Sequence, residues 1–154
     1  MKVNKYSGNL TLLGNAQEHV TSDEGQNHSR NWVYSIIEIG DHVLKKIHVT
    51  KSLDNFLSRG LDQDGETTLH LVSNSRLLAV DLPDGSAYFD EVSIWKVIFM
   101  TVLTVIFGTM ALVLPLMFGW FPGLVALLFG MQAYYHIGAR KFCKEFEARG
   151  GVGV

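Results

Sequence analysis

From Val97 to Ala139 the chain carries no Asp, Glu, Lys or Arg, a run of 43 residues bounded by Lys96 on one side and Arg140-Lys141 on the other. One membrane crossing takes about 20 predominantly apolar residues in a helix, so the run is long enough for two. Phe118-Gly119-Trp120-Phe121-Pro122-Gly123, near its middle, is a turn signal. The pattern predicts two transmembrane helices, spanning 97–118 and 122–138, joined by a tight loop. Pro115 should loosen the last turn of the first span. Pro122 suits the first turn of the second, where its missing N–H costs nothing. Interfacial anchors are expected at Trp95, Lys96, Tyr134, Tyr135, Arg140, Lys141 and Lys144 on one side and at Trp120 on the other.

Charge predicts a topology. The first 15 residues contain no apolar stretch of the signal-peptide kind. The tail after the second span holds Arg140, Lys141, Lys144 and Arg149, which the positive-inside rule places in the cytoplasm. Two spans then put both termini there. The expectation is a multi-pass protein of the cell membrane, an inner or plasma membrane, with the lipid bilayer as one partner.

Polar residues inside the spans are Thr101 and Thr104 in the first and Gln132 and His136 in the second. Counting inward from Lys96 and from Arg140, Thr104 is level with Gln132 and Thr101 with His136. These contacts read as interhelical hydrogen bonds, worth about 0.6 kcal/mol a pair. The rival reading is a proton or ion path. The absence of any carboxylate in the spans favours the first. Thr104 with Gly108, and Ala126 with Gly130, form small-residue faces suited to close helix packing. Phe142 and Phe146 fall on one face of a basic continuation of the second helix, which suits anionic headgroups. Cys143 is the single cysteine, so no intrachain disulfide can form; a juxtamembrane thiol can be palmitoylated, but an inert thiol is commoner. Residues 150–154 read as a flexible, frayed end.

Residues 1–92 read as a separate β-rich soluble domain, with 93–149 as the hairpin and its tail. The first 92 residues hold 8 Lys/Arg and 13 Asp/Glu, a net of −5, which argues against a nucleic-acid partner. Strands are predicted at 9–13, resumed near His19-Val20, at 32–39, 42–49, 67–72 and 77–82, with a further extended stretch at 86–89. Gly40-Asp41 reads as a hairpin turn. Val43, Ile47 and Val49 are expected on one strand face. A short helix at 53–58, capped by Ser52 and stopped by Gly60, falls between the third and fourth strands. That element order is the order of the five-stranded Greek-key OB barrel; an open sheet with one packed helix is the alternative.

Motifs for chemistry are sparse. His42 and His48 lie about 20 Å apart along an extended strand and cannot share an ion. His48 and His70 could meet only if their strands paired. Asp62-x-Asp64-Gly65 is a fragment of a calcium loop and an ordinary turn pattern. There is no G-x-S-x-G, G-x-G-x-x-G or P-loop lysine motif. The sequons Asn9-Leu-Thr11 and Asn27-His-Ser29 carry little weight. No catalytic residue, metal site or cofactor is expected. The function expected is that of an accessory or adaptor subunit of a membrane assembly, in contact with other subunits or its own copies. The alternatives are a ligand-sensing effector whose hairpin oligomerises and a subunit of a transport or pore complex.

Overall fold

The computed structural model describes residues 2–21, 29–73, 75–113 and 121–154, and leaves undescribed the side chains of 19–21, 29–30, 111–113 and 121–122. The sequon asparagine Asn27, Asn74, Pro115 and the expected anchor Trp120 lie outside it. The chain divides into two compact units: Glu91–Glu145, and Lys2–Asp90 together with Phe146–Val154.

The second of these is a β unit. In chain order it holds β1 (Val3–Gly8), β2 (Leu10–Leu13), β3 (Ala16–Thr21), β4 (Ser29–Ile39) and β5 (His42–Thr50). Helix α1 (Lys51–Asp62), β6 (Thr67–Val72), β7 (Arg76–Asp81), β8 (Ala87–Phe89) and β9 (Val152–Gly153) follow. The strands pair in the order β1-β6-β7-β5-β4-β2, with β3 also on β4 and with β8 between β7 and β9. All pairs are antiparallel except β5 with β7 and β8 with β9. The path closes because β1 runs through a bend at Gly8-Asn9 into β2. Its first half pairs with β6 and its second with β4. At the bend a Cβ on Gly8 would lie 2.6 Å from Gly40 Cα, so only glycine lets the two backbones approach. The result is a mixed sheet that curls back on itself, with the 12-residue α1 in the connection between β5 and β6.

β4 is long because Trp32-Val-Tyr-Ser-Ile-Ile-Glu-Ile39 is rich in aromatic and β-branched residues. Gly40, at φ +52°, starts the two-residue turn into β5. Burial along both strands then changes phase. The buried residues are Tyr34, Ile37 and Ile39 on β4, and Leu44, Ile47 and Val49 on β5. Tyr34 pairs with Ile47 and Ile37 with Leu44, so each strand steps by three at the same level. A regular pleat steps by two. Lys46 supplies the extra step by adopting φ +55°. This is why Val43, expected inside, is 56% exposed and Leu44 takes its place.

Helix α1 closes one end of the barrel with Leu53 and Leu57, both fully buried. It is longer than expected. Gly60 does not stop it: the residue is buried inside the helix, where a Cβ would lie 3.1 Å from Leu82 Cδ2. Leu69, Leu71, Leu77 and Val80 complete the core from β6 and β7. Full burial of each such side chain is worth about 1.5–3 kcal/mol. These two strands are also buried on their outer face, through His70, Val72, Leu78 and Ala79.

The other unit holds α2 (Ile94–Val113) and most of α3 (Phe121–Glu147). Thr104 Cγ2 lies 3.6 Å from where a Cβ on Gly130 would be, and the rings of Phe107 and Phe129 stack at 5.7 Å. The two helices therefore pack antiparallel.

The expected α+β membrane protein with a transmembrane hairpin is corrected here. Among the described residues, no helix is long and apolar enough to cross a membrane. The physical reason lies in the two helices. Helix α2 carries Lys96, Thr101, Thr104 and Thr109 among its described side chains. Those of α3 begin at Gly123, meet Gln132 and His136, and reach Arg140 before the about 20 apolar residues of a crossing are assembled. Residues 114–118 of the expected first span lie outside the described residues. The transmembrane and integral-membrane descriptions, the multi-pass placement in the cell membrane and the sidedness of the termini lose their basis with the spans. Among the described residues the sheet has nine strands, where the expected barrel had five.

Candidate functional site

The helical unit brings together only part of what the sequence singles out. Gly130 receives Thr104, as a close-packing position should, whereas a Cβ on Gly108 would meet nothing within 4 Å. The Thr104 hydroxyl donates to Met100 O at 2.8 Å and that of Thr101 to Val97 O at 2.8 Å. Threonines in an apolar helix thus satisfy their hydroxyls on the preceding turn. Gln132 is exposed, and His136 sits edge-on to Tyr135 with ring centroids 5.6 Å apart. Ala126 is half-buried.

The feature with the greatest chemical consequence in this unit is its apolar surface. Trp95 is 74% exposed and Tyr134 68%, and Phe99, Val105, Leu124 and Leu127 are each more than half exposed. Lys96, Lys141 and Lys144 are exposed and Arg140 half-buried. By the antiparallel register, Trp95 and Lys96 are level with Arg140. The basic side chains therefore gather at one end of the helix pair. Cys143 is buried, which removes it from acylation as it stands.

In the β unit the histidines stay apart. His48 is exposed on β5, where its N–H donates to Ser75 O at 2.7 Å. His70 is 2% exposed on β6, and its Nε2 lies 3.0 Å from Asp81 Oδ2 across the β6–β7 pair. Among the described residues no group of three His, Cys, Asp or Glu side chains is placed to hold a metal ion. Tyr34, 6% exposed, donates its phenol to Asp54 Oδ1 and ties β4 to α1. Burial, with the Asp54 carboxylate as acceptor and as a nearby negative charge, pushes the phenol above its ordinary range. In the turn 83–86, the Ser86 hydroxyl and N–H donate to the Asp84 carboxylate. Together with Arg59 at 3.0 Å these hold its carboxyl below the usual range. Each of these contacts fixes local structure; none forms a nucleophile–base pair.

The segment that sequence reasoning misses is 146–154. Phe146 is buried, with its ring edge-on to His70 at 5.1 Å and to Phe89 at 6.0 Å. After the helix end, Gly150 adopts φ +94° and the chain returns as β9, parallel to β8, with Tyr88 opposite Val152 and Phe89 opposite Gly153. Val154 N–H donates to Phe89 O at 3.0 Å, and its side chain packs against the barrel core. The supposed frayed end is thus a short strand. The only sequence signal for it is the Val-Gly-Val alternation after a glycine pair.

No family of known proteins, no curated protein and no solved structure matches this chain.

Proposed function

We propose that this chain is a non-enzymatic interaction protein, an accessory or adaptor subunit. Its β unit presents a surface to a protein partner. Its helical unit buries apolar side chains against other subunits or a second copy of the chain. The observation that supports this is the exposed apolar surface of α2 and α3. Monomers seldom leave more than a few hundred Å² of contiguous apolar surface in water, and larger patches mark interaction sites. The absence of any catalytic motif in the sequence favours binding over chemistry.

A second reading takes the bilayer as the apolar partner. It is favoured by the gathering of Trp95, Lys96, Arg140, Lys141 and Lys144 at one end of the helix pair, a pattern suited to anionic headgroups. This is contact with a bilayer, a claim separate from crossing one.

The test uses the full chain without detergent. Sedimentation equilibrium should show a concentration-dependent oligomer, and a triple change of Phe99, Leu124 and Leu127 to Ser should return it to monomer. Flotation with phosphatidylcholine vesicles, with and without phosphatidylserine, separates the second reading from the first. A monomer that floats with neither vesicle would sink both readings.

A further inference from the structure

β8 has two edges. One pairs with β7 along Ala87, Tyr88 and Phe89, and the other is occupied by β9. What holds β9 there is small in extent. Its contacts with β8 include two residue pairs and the hydrogen bond from Val154 N–H to Phe89 O; Val154 is half-buried, and Gly151 N–H donates to Phe146 O at 3.1 Å. Val152 contributes little, being 54% exposed. The segment is joined to α3 by Gly150 and Gly151. Gly150 needs its positive φ, and a Cβ on Gly151 would stand 2.5 Å from Phe146 Cδ1. Both glycines are therefore needed to aim the segment at the edge, and both allow it to swing once it leaves. A short strand with little buried surface opens locally at far lower free energy than the barrel beneath it.

We infer that the outer edge of β8, beside the core surface on which Val154 packs, is a strand-accepting site. Its partner is a short extended peptide with an uncharged apolar residue at the position of Val154. The chain's own Val152–Val154 occupies the site in cis. In this mode of recognition main-chain bonds along the edge supply affinity, and the side chain packed against the core supplies selectivity. The last position asks for an apolar side chain, because Val154 packs against the core there, as Tyr88 does. The first position is tolerant, since Val152 faces solvent. The cis segment acts as a plug held by its high effective concentration, so a free peptide competes with it poorly until it is released. The inference rests on the reading of the β unit as a protein-binding module and names the class of segment that it takes.

The probe is the end-capped peptide with the sequence of residues 147–154, Glu-Ala-Arg-Gly-Gly-Val-Gly-Val. It is titrated against the full chain and against the full-length Val154→Asp variant, whose carboxylate loses the apolar packing of Val154 against the core. Backbone amide spectra should show saturable shifts at Tyr88 and Phe89. The variant should respond at peptide concentrations roughly tenfold or more below those the unaltered chain needs. The same peptide ending in Asp should shift neither. No shift in a folded variant, or equal responses from the two chains, would overturn the inference. Hydrogen exchange of the unaltered chain is the second measurement. Val154 N–H should exchange much faster than the amides of β6 and β7, and equal protection would also overturn it. Failure here leaves sedimentation of the helical unit unchanged, so the two readings fail separately.

Discussion

Replacing Tyr34 with Phe keeps the ring in the barrel and deletes one hydroxyl, so it isolates the bond to Asp54. A hydrogen bond to a charged group contributes about 1.5–3 kcal/mol. Asp54 is half-buried, so water can partly replace the lost donor, and the lower end of that range, about 1.5 kcal/mol, is expected at pH 7. The pH dependence gives the sharper test. The folded phenol titrates above its unfolded value of about 10. Its contribution is therefore fully present below pH ~10 and is lost as pH rises beyond that towards the folded value, because the unfolded state releases the proton first. Urea titrations of the full chain, followed by β-sheet ellipticity, should show Tyr34→Phe weaker at pH 7 and the gap closing above pH ~10. A cycle with Asp54→Ala should be non-additive, since both changes remove one bond. A gap that is constant with pH, or additive single changes, would refute the coupling of the two groups.

Gly8→Ala should cost at least about 1–3 kcal/mol, because the new Cβ meets Gly40 Cα at 2.6 Å and backbone cannot step aside; a normal denaturation midpoint would show that the bend is not a close approach. Lys46→Gly should be neutral or stabilising by up to about 1 kcal/mol, relief of the positive φ offsetting the entropy of glycine, whereas Lys46→Val should destabilise. The same midpoint measured for Lys45→Gly, expected to fall by about 0.5–1 kcal/mol, is the control. In the helical unit Gly108→Ala should be tolerated and raise helicity slightly, while Gly130→Leu should separate α2 from α3, read as loss of the Phe107–Phe129 contact in proximity labelling.

Local sequence signals located most of the strands. The β4–β5 hairpin, β6 and β7 are legible because β-branched and aromatic residues alternate between Gly, Asn and Asp turns. The division between a β-rich stretch and an apolar helical one is legible because charge disappears at Val97. Depth counting on an antiparallel pair levels Thr104 with Gln132; the structure sets Thr104 Cγ2 3.6 Å from the place of a Cβ on Gly130 and turns its hydroxyl to Met100 O, a contact that no count of depth reveals.

Three features were decided only by tertiary structure. Which face of β5 is buried depends on Lys46, whose positive φ answers the bend of β4 beside it and leaves no mark in composition. Whether residues 150–154 are ordered depends on an edge of β8 more than sixty positions away in the chain. What covers the exposed apolar side chains of α2 and α3 depends on neighbours that the sequence does not list. A charge-free stretch of 43 residues fixes the chemistry of a surface. It does not fix what that surface is packed against, because burial is a property of neighbours and the sequence lists only residues.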